Sequence, residues 1–505
     1  MAETFRYFVV LHSVAHPDLH AKYFENDRKG IEAYIAGFLS AASLADPPFT
    51  VTALPSQQVG SSIKGEEPRK STKLVVSLDV RDKSTVHSLR DAVASPQNRN
   101  VFVGSSPDIP FVGTDHWCPS EATDPIFANR ADAERLCGID YLKSRNGTMI
   151  GGKKTITSGA GVNIAIVDQG LNMNQLGNSY GGGWCVGNSQ PGTTNPPPGT
   201  IHRSHGMMIA HNIHQVAKDA KFFDLPLVPW NITNIPVFLS LAYAAFTKML
   251  DEISVYRSGN GNFSGPWILI NPWGIFDTRS EYPSGDYTNN PNNCFNLLVA
   301  TAVRSGIDVI FAAGNCGQFC PDWRCGPTDV GPGHSIWGAN SLSDVLTVGA
   351  VRADTIWLGY SSQGPGQANL DPAKPDLCAP SQFCESDDAS SLNTGTSAAC
   401  AIAAGVVAAL RSNWNSATVS PAQLKSILNN TSRKPPGLQQ GNPVSHRFGN
   451  GILDAKAAFS NMPGSLSEPA VTALAEPPAT TLGGSPGTFF SSLFAWLRRN
   501  RRERA

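Results

Sequence analysis

The chain has almost no net charge. Its 39 Lys and Arg stand against 40 Asp and Glu, a formal charge of -1, which excludes the long-range field that gathers nucleic acid or an anionic membrane. The opening MAETFRYFVVLHSVAHPD lacks the cationic start, apolar core and small-residue cleavage site of a signal peptide. With no recognisable export signal, the location stays open between the cytoplasm and export by another route. Cysteine is missing from the first 117 residues, since all ten lie between Cys118 and Cys400, and this asymmetry points to two units of different history. Three of them, Cys316, Cys320 and Cys325, share one glycine-rich loop at intervals unlike the CxxC pairs of zinc sites. The reading is a loop restrained by disulfides or by buried thiols, with no metal site assigned.

What is present is a globular chain. A length of 505 residues with 41% hydrophobic residues buries a large core, and 47 Gly and 37 Pro suit a chain rich in turns. Over 1–104 the pattern predicts strands in FRYFVVLH, FTVTAL, KLVVSLDV and NVFVG, with helices in DRKGIEAYIAGFLSAAS and KSTVHSLRDAVAS. This β-α-β-β-α-β order is that of a small α+β, ferredoxin-like domain. Residues 105–161 read as a linker and arm with one helix, ANRADAERLCGIDYLKS. Over 162–460, apolar strands alternate with helical stretches, implying an α/β domain whose parallel sheet is covered by helices on both faces. Residues 461–505 lack the periodicity of a core and read as a disordered tail. Its end, FFSSLFAWLRRNRRERA, is too short an apolar run to span a bilayer, which leaves a weak membrane-surface contact as one reading and a basic terminus as the other.

Four segments of the α/β domain point to one chemistry. IAIVDQG is a buried strand delivering Asp168 to its carboxyl end, where open α/β sheets hold their sites. SHGMMIAH places His205 at the start of a helix. DVIFAAGN delivers Asn315 into a glycine loop, and NTGTSAAC places Ser397 at the start of a small-residue helix. Each alone has an ordinary explanation as a turn or a helix cap.

In combination and in this order they resemble the subtilisin-like serine proteases, with PWG at 272–274, YSSQGP at 360–365 and KPDLCAP at 374–380 as lesser matches. The resemblance implies a subtilisin-like fold and a serine endopeptidase. In it Ser397 is the nucleophile, His205 the base, Asp168 its orienting partner, and Asn315 with the Ser397 N–H the oxyanion hole. An extended polypeptide substrate is expected along 269–274 and 312–315, with Pro272, Trp273, Gly274, Ala313 and Gly314 as contacts and Trp273 either an apolar subsite or packing. Glu385, Asp387 and Asp388 either favour basic residues in a substrate or, as the plainer reading, form an exposed acidic loop. His202 is set aside in favour of His205. Calcium is common in relatives, but no EF-hand run occurs and no site is assigned.

Some positions depart from the family pattern: Gln169 between Asp168 and Gly170, Met207 and Met208 after Gly206, His211, and Ala401. None removes a catalytic group. Two other readings stay open, a processing protease dedicated to one partner and a catalytically silent peptide-binding relative. The N-terminal domain, by the same resemblance, is expected to serve as prodomain and intramolecular inhibitor.

Overall fold

The computed structural model describes residues 4–16, 18–39, 47–61, 72–109, 128–150, 152–186, 197–201, 204–228, 238–259, 262–385, 392–436 and 444–465. Cys118, His202, Asp387, Asp388, residues 110–127 of the linker and the tail from 466 lie outside them. The chain runs β1 (Phe5–His12), α1 (Leu19–Phe24), α2 (Arg28–Ala36), β2 (Phe49–Ala53), β3 (Val59–Ser61), β4 (Lys73–Val80), α3 (Lys83–Ala94) and β5 (Phe102–Pro107). Four of these strands form a sheet in the order β2-β4-β1-β5, the ferredoxin-like topology. FRYFVVLH is apolar at nearly every position because both faces of β1 are covered. Tyr7, Val9 and Leu11 join the domain's own core, whereas Phe8 and Val10 enter the core of the large domain. Each such buried side chain contributes about 1.5–3 kcal/mol.

The arm read as one helix is broken. It forms β6 (Ala128–Asn129), α4 (Arg130–Leu136) and α5 (Ile139–Arg145), because Gly138 adopts φ 65° between the two helices. A hairpin of β7 (Met149–Ile150) and β8 (Lys153–Lys154) follows.

The large domain then lays down β9 (Asn163–Asp168), α6 (Met173–Leu176), β10 (Tyr180–Val186), α7 (His205–Val216), β11 (Lys221–Pro226), α8 (Phe238–Ser258), β12 (Trp267–Asn271), α9 (Cys294–Arg304), β13 (Asp308–Ala312), β14 (Leu346–Val351) and β15 (Leu377–Pro380). A small ladder of β16 (Phe383–Cys384), β17 (Leu392–Asn393) and β6 precedes α10 (Gly395–Arg411), α11 (Pro421–Thr431) and α12 (Ala455–Ser460). The central sheet has the order β15-β14-β13-β12-β9-β11-β10 with its strands parallel. Ile164 and Ile166 of β9 face the α7 and α10 side, and Ala165 and Val167 face α8 and α9. The order reverses around β9, so its carboxyl end opens the crevice where such sheets bind ligands. No helix among the described residues is long and apolar enough to cross a membrane.

The place of β3 was not foreseen. β3, from the N-terminal domain, pairs antiparallel with β10, Val59 opposite Val186 and Ser61 opposite Trp184, and so extends the central sheet at that edge.

Candidate active site

Asp168 is the last residue of β9 and is buried. His205 opens α7, whose first turn is capped by Ser204: its hydroxyl accepts from Met207 N at 3.1 Å and donates to Gly170 O at 2.6 Å. Gly206 lets the helix approach the β9 turn, since a Cβ there would lie 2.6 Å from Gly170 O. The outcome is a contact of 2.7 Å between His205 Nδ1 and Asp168 Oδ2. The second carboxylate oxygen accepts from Gln169 N at 2.6 Å. A neutral imidazole held this way carries its proton on Nδ1 and leaves Nε2 as the base.

Ser397 lies in the first turn of α10, where backbone N–H groups have no intrahelical acceptor and the helix dipole is positive. Its hydroxyl donates to Pro272 O at 3.2 Å; catalytic hydrogen bonds often align only once substrate is bound. Asn315 follows β13 through Gly314, whose φ of 108° an L-residue would resist. The Asn315 Oδ1 accepts from Thr396 N at 2.9 Å and from Thr396 Oγ1 at 3.0 Å. Its Nδ2 is thereby the group left to donate. The Thr396 hydroxyl also accepts from Gly314 N at 3.1 Å, tying the loop after β13 to the start of α10.

Beside Asn315 lies a shallow, open pocket, lined by Gly274, Phe276, Ala313, Gly314, Trp337 and their neighbours and, among the described residues, by no charged side chain. The Trp273 ring points elsewhere, packing edge-on against Phe238 and Phe311 in the core. What Trp273 and Pro272 offer the cleft is main chain.

The subtilase family model matches residues 159–451, more than half of the chain. The chain belongs to the subtilase family. As a subtilase it is a serine-type endopeptidase acting on polypeptides. No curated protein matches the chain. Similar solved structures include a cold-adapted subtilisin-like serine proteinase (18% identity, TM-score 0.39, covering 63% of this chain and 97% of that one). MycP1 from the ESX-1 type VII secretion system is another (17%, 0.44, 72% and 94%), and the S41 psychrophilic protease a third (18%, 0.41, 62% and 96%).

The positions where this subtilase departs from the family pattern each have a physical place. Gln169 Oε1 accepts the His205 backbone N–H at 3.1 Å. Met207 Sδ lies 3.1 Å from Asn172 N, and Met208 and Ala401 fill the core. His211 Nε2 stands 3.3 Å from Glu385. Glu385 is no free acidic contact for substrate, because Arg130 binds it through two nitrogens and Asn393 Nδ2 donates to it at 2.7 Å. Although burial opposes it, the Arg130 and His211 bonds hold its carboxyl well below the usual range.

The cysteine loop closes through a Cys316–Cys325 disulfide, with Cys320 half-buried against the core. Asp322 N donates to Asn315 O at 2.9 Å within this loop. Among the described residues no group of three His, Cys, Asp or Glu is arranged to hold a metal ion. Sequence reasoning missed Thr396, although it sat inside the quoted GTS motif, and missed Arg130, which carried no signal at all.

Proposed function

We propose that this subtilase cleaves peptide bonds with Asp168, His205 and Ser397 as triad and with Asn315 and the Ser397 N–H as oxyanion donors. The observation that carries this reading is the 2.7 Å contact between His205 and Asp168 at the sheet's switch point. In the first step Ser397 Oγ adds to the scissile carbonyl while its proton passes to His205 Nε2. The oxyanion takes hydrogen bonds from Asn315 Nδ2 and Ser397 N. The C–N bond then breaks, the imidazolium proton goes to the leaving amine, and an acyl-Ser397 ester remains. Water, deprotonated by His205, releases the acid. The uncharged pocket beside Asn315 favours apolar residues before the scissile bond, and a peptide library would test that.

The N-terminal domain is the enzyme's own inhibitor and folding partner in this reading. Its support is the extent of the junction: the β3–β10 ladder, Phe8, Val10, Val75 and Ile109 in the large domain's core, and Arg90 paired with Asp286 at 2.9 Å. The segment beyond Ile109 that would run to the cleft lies outside the described residues. Intact-mass analysis of wild type beside Ser397→Ala tests both parts. Wild type should lose about 100 N-terminal residues and label with a fluorophosphonate, and the variant should do neither. A full-length, fully active wild type would remove the prodomain reading, and an active Ser397→Ala would remove the triad.

A further inference from the structure

One buried carboxylate near the triad has no part in that chemistry. Asp224 of β11 is 1% exposed and stands in register with Ile166, two residues short of Asp168 on the neighbouring strand. Its Oδ2 accepts the backbone N–H of Leu171 at 2.9 Å and of Gly199 at 2.8 Å. Its Oδ1 is buried with no hydrogen-bond partner among the described residues, a costly state for a charged group.

The two amides belong to the two segments that set the triad's geometry. Leu171 ends the turn after Asp168, and Gly199 begins the approach to His205. The same segments meet again where Ile201 N donates to Leu171 O at 3.0 Å and Ser204 Oγ to Gly170 O at 2.6 Å. We propose that Asp224 is a positioning residue for the triad, clamping the turn after Asp168 to the approach to His205 and favouring the His205 imidazolium whenever it is ionised. This rests on the triad reading above.

The charge is switchable near neutral pH. Burial pushes the Asp224 carboxyl up to about 7, the two amide bonds oppose this, and the Asp168 charge adds to the rise. The described groups that face this region are Asp168 on β9, which carries His205 of α7, and Tyr180 on β10, raised by burial and then by Asp224. On α10, Cys400 is held as a neutral thiol by burial and then by Asp168. As pH rises, Asp224 ionises and stabilises the imidazolium, so the acid limb of the activity profile lies higher with this carboxylate than without it. The two groups titrate as a coupled set.

Asp224→Asn keeps an oxygen for both amides and abolishes the titration. In full-length protein carrying Ser397→Ala, NMR titration of His205 should show its midpoint lowered by roughly half a unit or more in the Asn variant. In the Ser397 enzyme the acid limb of kcat/KM should move the same way with KM unchanged. Asp224→Ala removes the clamp as well and should lower kcat roughly 10- to 100-fold, with Asn restoring most of it. An unmoved His205 midpoint together with an unmoved acid limb overturns the charge effect, and wild-type kcat in Asp224→Ala overturns the clamp. If the Asn variant does not fold, the smaller, neutral Asp224→Ser carries the same two readouts. Activity surviving in Ser397→Ala alone would fail the triad reading instead, independently of Asp224.

Discussion

Thr396 offers the sharpest test of how the oxyanion site is built. Replacing it with Val keeps the volume and removes the hydroxyl that donates to Asn315 Oδ1 at 3.0 Å and accepts from Gly314 N at 3.1 Å. The Thr396 backbone N–H still holds Oδ1 at 2.9 Å, so the amide loses one of its two anchors. Loss of a whole oxyanion donor costs about 2.7–4 kcal/mol, which is the expectation for Asn315→Ala. Thr396→Val should lose only part of that, roughly tenfold in kcat or about 1.4 kcal/mol, with KM nearly constant. Stability should also fall, by about 1 kcal/mol, because the half-buried Gly314 N–H loses its acceptor. The assay is steady-state hydrolysis of a peptide substrate, normalised to active sites by fluorophosphonate titration. In Thr396→Val/Asn315→Ala the kcat should match Asn315→Ala alone, since the hydroxyl acts through the amide. Fully additive losses, or a change confined to KM, would refute this account.

Ser397→Ala and His205→Ala should each abolish hydrolysis while leaving the far-UV circular dichroism unchanged. Asp168→Asn should be nearly as damaging, because it stabilises the wrong imidazole tautomer; near-wild-type turnover in any of the three would contradict the roles assigned. Gly206→Ala puts a methyl 2.6 Å from Gly170 O and should lower both the melting temperature and kcat, whereas an unchanged pair of values would show that α7 can shift freely. Cys325→Ser opens the Cys316–Cys325 loop and should cost roughly 2–3 kcal/mol in denaturant unfolding. An unchanged midpoint would show that the loop is restrained without it.

Where apolar residues repeat with a clear period, the elements were legible. FRYFVVLH and KLVVSLDV match β1 and β4 residue for residue, and VNIAIVD and DVIFAAGN carry Asp168 and Asn315 to strand ends because their side chains are buried on both faces. YGGGWCV gave no such pattern, yet it forms β10. Its glycines are there for clearance, a Cβ on Gly181 coming within 2.5 Å of the Phe223 ring. The candidate site residues stand in short local motifs at element ends, and this is why they were readable. Arg130 binding Glu385 from 255 positions away, Thr396 holding Asn315, and Asp224 holding Leu171 and Gly199 are contacts between distant segments, and no local spacing encodes them.

The junction between the N-terminal and large domains makes a prediction about pH. Asp108 is buried there, its Oδ1 accepting Ser240 N at 3.1 Å in the first described turn of α8, and its Oδ2 lies 3.3 Å from Ser77 Oγ. Burial raises its carboxyl from 3.8 to about 6 against the pull of these bonds and of Arg6. Asp286, facing Arg90 at 2.9 Å and Tyr7 at 3.3 Å, is raised as well, again by burial first. A group whose docked value exceeds its free value stabilises docking fully below the free value and loses that contribution as pH rises through the docked one. Docking of the N-terminal domain should therefore be tightest near pH 4, weaken up to about pH 6, and change little above that on account of Asp108. Hydrogen exchange of the β3–β10 amides in full-length Ser397→Ala protein, corrected for the intrinsic rate, reads this opening directly. Protection at pH 4.5 should exceed that at pH 6.5 by roughly tenfold or more, and Asp108→Asn, neutral at both, should flatten most of the difference. Protection that increases with pH, or an Asn variant as pH-dependent as the parent, would mean that the buried carboxylate does not govern the junction.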